Sequence, residues 1–111
     1  MHELSIMRSV VDVCEREAQK HGFERVERIS LAVGAVSGIV PEYMFEFFPL
    51  ASAGTVAEGA KLATRVIPAE IECPECGYSG EAAGADCPRC GGTGFRLVHG
   101  REFYIDSIEV E

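Results

Sequence analysis

The chain has 111 residues, 47% of them apolar and 25% charged, with a formal net charge of −8. That length suits one small domain plus a short stapled module, and contains no apolar run long enough to span a bilayer. The acidic balance disfavours a nucleic-acid partner, whose phosphates require a basic surface.

Residues 3–21 carry apolar side chains at three- and four-residue steps: Leu4, Met7, Val11, Cys14 and Ala18. This predicts an amphipathic helix with one buried stripe, widened by Val10 and Val13. Asp12 and Arg16 sit a turn apart on its exposed side. Gly22 is the expected stop, with Lys20 and His21 complementing the negative helix end. Cys14 falls on the buried stripe and reads as a small core residue with no basic neighbour to activate it.

Residues 26–34 alternate Ile29, Leu31 and Val33 with Arg28, Ser30 and Ala32, the period of a strand. A loop runs to Pro41, a favourable first-turn residue for a second helix. That helix carries Tyr43, Met44, Phe45, Phe47 and Phe48, an aromatic density expected to pack a core, and Pro49 is expected to kink or interrupt it. Residues 60–67 and 103–110 read as two more strands. In the last, Phe103 and Ile105 share one parity and Ile108 and Val110 the other, which predicts a β-bulge near Asp106 and Ser107. The expected fold class is α+β: two helices on a small three-stranded sheet, with an inserted four-cysteine zinc-ribbon-like module. The α+β body would comprise residues 1–69 and 99–111, and the insertion residues 70–98.

That insertion holds Cys73-Pro74-Glu75-Cys76 and Cys87-Pro88-Arg89-Cys90, two matching pairs ten residues apart, each followed by glycine. Two such turns can bring four thiolates onto one tetrahedral zinc, and the paired pattern is far more specific than a lone Cys-x-x-Cys. Glycine after each pair permits the left-handed backbone that turns N–H donors toward sulfur. With all four positions filled by sulfur, such a site is closed and structural, and cannot activate water. The segment is also acidic, with Glu70, Glu72, Glu75, Glu81 and Asp86 against Arg89 and Arg96. This disfavours one rival reading, a nucleic-acid or transcription ribbon. A second rival, a thiol oxidoreductase, would leave one pair free of metal. The odd cysteine, Cys14, fits a reducing compartment, and no signal-peptide pattern opens the chain, so a cytoplasmic location is expected.

The first three residues are the other candidate site. The α-amine of Met1, the imidazole of His2 and deprotonated backbone nitrogens can surround one square-planar ion, a preference of nickel(II) and copper(II) but not of zinc. The first N–H groups of a helix have no intrahelical partner, so they can lose protons without breaking the ladder. Glu3 is either an axial ligand or a first-turn charge that complements the helix dipole. A solvated terminal histidine is the plain alternative for His2. His99, between the ribbon segment and the last strand, reads as a solvated hinge residue. No hydrolase-type arrangement or P-loop is visible, so an enzyme is not expected.

Several segments together resemble the HypA/HybF hydrogenase nickel-incorporation proteins. They are Met1-His2-Glu3-Leu4-Ser5-Ile6, Ile39-Val40-Pro41-Glu42, Ala53-Gly54-Thr55 and Glu58-Gly59-Ala60, then both cysteine pairs. Gly100-Arg101-Glu102-Phe103-Tyr104-Ile105 and Ser107-Ile108-Glu109-Val110-Glu111 complete the series. The resemblance runs in order along essentially the whole chain, although the spacer between the cysteine pairs is shorter than the family's usual one. It implies a nickel metallochaperone with a separate structural zinc site. By that match the Met1 α-amine and His2 carry Ni(II), with Glu3 assisting, and Cys73, Cys76, Cys87 and Cys90 carry Zn(II). It also implies the partners: a hydrogenase-maturation GTPase, the [NiFe] hydrogenase large-subunit precursor and, in some organisms, urease maturation proteins. The chain itself would be a monomer or homodimer.

Overall fold

The computed structural model describes residues 3–111. Helix α1 (Glu3–His21) is followed by strand β1 (Val26–Gly34), helix α2 (Pro41–Ser52) and strand β2 (Lys61–Ile67). Three short strands follow, β3 (Glu70–Glu72), β4 (Ser79–Glu81) and β5 (Arg96–His99), and then β6 (Phe103–Val110). They form two separate three-stranded sheets, ordered β2-β1-β6 and β4-β3-β5. The first is mixed: β1 pairs in parallel with β2 and antiparallel with β6. The second is antiparallel throughout. The α+β class, the two helices with a three-stranded sheet, and the inserted four-cysteine module match the sequence expectation.

β1 is the central strand, and Val26, Ile29, Leu31 and Val33 are buried along it. They meet Met7, Val10, Val11 and Cys14 from α1 and Met44 and Phe48 from α2 in one core. Cys14 lies wholly inside that core. Burial first, and the neighbouring Glu15 second, push its thiol up to about 11, so it remains protonated and inert.

The predicted bulge is present. Ser30 pairs with Ser107 and Leu31 with Ile105, leaving Asp106 as the extra residue. The bulge frees the Asp106 carboxylate to reach across the sheet, where Arg65 of β2 donates to it through Nε at 2.7 Å and Nη2 at 3.0 Å. Arg65 Nη2 also donates to the Tyr104 hydroxyl at 2.9 Å. Ala32, opposite both Arg65 and Tyr104, is completely buried.

Three expectations need correction. Leu4 is only half-buried, and Glu3 beside it is buried instead, because its carboxylate turns inward to accept the Val40 N–H. Pro49 does not interrupt α2, which continues to Ser52. The carbonyl of Phe45, left without a donor by the missing Pro49 N–H, belongs to an exposed residue and can be served by water. Finally, the aromatic stretch is not all core: Met44 and Phe48 are buried, but Tyr43 and Phe45 are exposed.

Candidate metal centre

The two cysteine turns are built alike, hydrogen bond for hydrogen bond. The carbonyl of Cys73 accepts the Gly77 N–H at 2.8 Å, and Cys73 N–H donates to the Tyr78 carbonyl at 2.8 Å. The carbonyl of Cys87 accepts the Gly91 N–H at 2.8 Å, and Cys87 N–H donates to the Gly92 carbonyl at 2.8 Å. Each turn closes on a glycine in the left-handed region, Gly77 at φ +78° and Gly91 at φ +76°. A side chain at either position would strain the backbone that aims the sulfurs. β3 leads into the first turn and β4 leaves it. The second turn hangs between β4 and β5.

The four sulfurs converge. Cys73 Sγ lies 3.7 Å from Cys90 Sγ, Cys76 Sγ lies 3.7 Å from Cys87 Sγ, and all four lie within 4.8 Å of one another. A tetrahedral ion with metal–sulfur bonds near 2.3 Å needs sulfur–sulfur edges of about 3.8 Å. The donor type and the spacing therefore both fit zinc. Among the described residues these four form the one cluster of three or more potential ligands so placed. None of the cysteines is disulfide-bonded.

Sulfurs this close resist shared ionisation, so one thiol is lowered while another is raised. At Cys87 burial is the largest influence and opposes charge, but N–H groups of Cys90 and Arg89, together with hydrogen bonds to the Cys76 and Cys90 side chains, outweigh it and bring the thiol down to about 7. At Cys90 the Gly92 N–H, donated to its Sγ at 3.4 Å, favours the thiolate. Burial and the hydrogen bonds from Cys73, Cys76 and Cys87 overcome this and push it up to about 12. A dication at the centre removes that conflict by neutralising the sulfurs together.

The predicted nickel ligands Met1 and His2 lie outside the described residues. Glu3 is described: its side chain is 6% exposed, and Oε2 accepts the Val40 N–H at 3.2 Å. Val40 is the N-cap of α2 and has no side-chain cap of its own, while Pro41 follows at the first helical position. The carboxylate thus joins the starts of the two helices and places negative charge where the dipoles of both favour it.

His99 is exposed, as expected of a hinge residue, but it is not merely solvated. Its Nδ1 is 2.8 Å from Glu102 Oε2, and the other oxygen of Glu102 accepts the Gly100 N–H at 2.6 Å. Glu102 also uses its backbone carbonyl to accept the Gly34 N–H at 2.7 Å. Gly100 adopts φ +123°, and a Cβ there would meet the Ala69 Cα at 2.9 Å. The crossing between the sheets is therefore tight, and Glu102 is its clamp. Sequence reasoning missed this role. The available signal was the Gly100-x-Glu102 spacing beside a histidine, which has no meaning until the two connections between the sheets are known to meet.

A small α+β body carrying a closed four-thiolate ribbon defines a metal-binding protein. Residues 1–110 match the family model for hydrogenase/urease nickel incorporation, metallochaperone, HypA. The chain belongs to the HypA family. It is 39% identical to a hydrogenase maturation factor HypA from Caldanaerobacter subterraneus, over the full length of both chains. It is 41% identical to one from Chlorobium limicola, covering all of this chain and 97% of that one. The fold is similar to the solution structure of the Ni metallochaperone HypA from Helicobacter pylori, with a TM-score of 0.70 and 24% identity, covering 99% of this chain and 97% of that one. A second HypA solution structure gives a TM-score of 0.76 at 23% identity, covering 100% and 97% of the two chains.

Proposed function

We propose that the chain binds nickel(II) through the Met1 α-amine and His2, with Glu3 assisting, and delivers it to the large-subunit precursor of a [NiFe] hydrogenase. The observation that carries this reading is the whole-length family match, which includes both the N-terminal Met-His-Glu and the paired cysteines. Delivery proceeds by ligand exchange. A metal held by a few nitrogen donors at one chain end can be invaded by a partner's ligands. Glu3 acts from the first turn, where its carboxylate fastens the end of α1 to Val40. The chain has no P-loop pattern, so energy input comes from a partner, a hydrogenase-maturation GTPase. Urease maturation proteins are further candidate recipients. We place the protein in the cytoplasm, a reducing compartment that suits five cysteines with no disulfide among them.

Cys73, Cys76, Cys87 and Cys90 hold Zn(II) in this reading. The zinc neutralises their charge and fixes the ribbon, and takes no part in nickel exchange. Residues 70–98 then form a zinc domain inserted into a nickel domain of residues 1–69 and 99–111. Three proteins test the nickel site: the untagged chain, His2→Ala, and a chain extended before Met1, which converts the α-amine to an amide. Both altered chains should lose most of their nickel affinity and the low-spin square-planar spectrum, with zinc content unchanged. Equal nickel affinity across all three would show that the N-terminus is not the site.

A further inference from the structure

Helix α2 has two apolar faces, and the core uses only one. Met44 and Phe48 point into the core. On the other side Val40, Tyr43, Phe47 and Leu50 follow one another at alternating steps of three and four residues. At 100° per residue the three helical ones, Tyr43, Phe47 and Leu50, fall within about 60° of arc, a stripe separate from the core face, and Val40 precedes them as the N-cap. The exposure is real: Tyr43 is 49% and Leu50 63% exposed, and Val40 exceeds a third. Phe47 is half-buried between them. A spacing of three and four residues is the seam by which one helix accepts the side chains of another.

The edge of the stripe away from the core is charged with one sign. Glu42 and Glu46 flank it, and α2 contains no lysine or arginine. The whole chain carries −8. Antiparallel pairing of two copies through this seam would bring the same acidic flank of each together, with no cation on either helix to offset it. A basic helix meets no such penalty.

We propose that the outer stripe of α2 is a docking face for a basic amphipathic helix of a partner protein, its apolar residues seated on Tyr43, Phe47 and Leu50 and its lysines or arginines beside Glu42 and Glu46. The seam from Val40 to Leu50 is about 15 Å long, so roughly three turns of partner helix cover it. Its position gives it a use. Val40 at one end receives the Glu3 carboxylate, two residues from the chain's start. A helix docked there sits beside Glu3, the described residue of the proposed nickel motif. The docking face depends on the exposed side chains of α2 and stands whether or not the metal assignment does.

The test uses metal-free and zinc-loaded chain with a labelled synthetic peptide of about 14 residues, leucine at the seam positions and lysine on one flank. A second peptide carries glutamate in place of lysine. The lysine peptide should bind and shift the amide signals of residues 40–52. Binding should weaken at least tenfold in Tyr43→Ser/Leu50→Ser and in Glu42→Lys/Glu46→Lys, both at exposed positions that leave the melting temperature nearly unchanged. The glutamate peptide should bind far more weakly. Absence of lysine-peptide binding, or undiminished binding to Tyr43→Ser/Leu50→Ser, overturns the proposal, the latter because it marks attraction to net charge alone. So does equal binding of both peptides. A chain that dimerises through this face, losing the dimer in Tyr43→Ser/Leu50→Ser, overturns it in favour of a second copy.

Discussion

The two sheets reach order by different routes. The sheet of β2, β1 and β6 lies against a continuous core drawn from both helices, with Met7, Ile29, Leu31 and Met44 fully buried. The sheet of β4, β3 and β5 has no comparable core. Between residues 70 and 99 the buried side chains are Ile71, Cys73 and Cys87, and two of those are themselves sulfur donors. Burying an isoleucine contributes about 1.5–3 kcal/mol, while a structural zinc site supplies about 10–16 kcal/mol. On the zinc assignment, one region is held by area removed from water and the other by four bonds to an ion. A short insertion can therefore be added to a body without extending its core, provided the chain brings the ligands with it.

Removing the metal is the strongest way to break this comparison. On the zinc assignment, chelation at neutral pH should abolish amide protection in β3, β4 and β5 and leave that of β1 and β6 in place. Hydrogen exchange read residue by residue decides it. If the ribbon strands stay protected without zinc, the cysteine cluster is not what orders them. If the body melts as well, the two regions are one cooperative unit.

The complementary change acts on the body. Met44→Ala empties a fully buried site and should destabilise the body by about 2–5 kcal/mol, with zinc stoichiometry unaffected. Tyr43→Ala, one residue away on the exposed side, should cost well under 1 kcal/mol. Chemical denaturation of both variants, with bound zinc measured alongside, separates the contributions. Equal losses at the two positions would mean that α2 does not divide into a buried and an open face.

The periodic parts of this fold could be read from the sequence because each signal was local. The stripe of α1, the alternation in β1, the phase change that placed the bulge at Asp106 and the paired Cys-x-x-Cys turns all lie within a few residues. What escaped was set by contacts between distant segments. Glu3 is buried because Val40, thirty-seven residues on, needs an acceptor. Density of aromatics in α2 suggested core, but burial on a helix depends on angle, and Tyr43 and Phe45 fall outside the arc that enters the core. The Glu102 clamp depends on Gly34 and Gly100 meeting, which no single stretch encodes.

The smallest expected effect concerns that clamp, where the two regions join. The Glu102 hydrogen bond is the main reason His99 is held above its ordinary 6.5; burial opposes it, and the charges of Glu102, Glu70 and Glu72 add smaller upward contributions. The same bond, followed by the Gly100 N–H, lowers Glu102 to about 2 from its ordinary 4.5. A raised histidine stabilises fully below 6.5 and ceases to do so as pH rises through its folded value. A lowered carboxylate stabilises above 4.5 and is lost as pH falls toward 2. Both contributions are complete only between about 4.5 and 6.5. On the zinc assignment acid would also protonate the thiols and release the metal, so the informative arm is the alkaline one. The His99 imidazole should titrate above 6.5 in the native chain and fall back in Glu102→Gln, as followed by NMR of the ring protons. An unchanged midpoint would dismiss the pairing. Loss of charge on His99 should loosen the crossing without opening it, because the 2.6 Å bond from the Gly100 N–H to Glu102 Oε1 uses the other carboxylate oxygen and does not involve the imidazole.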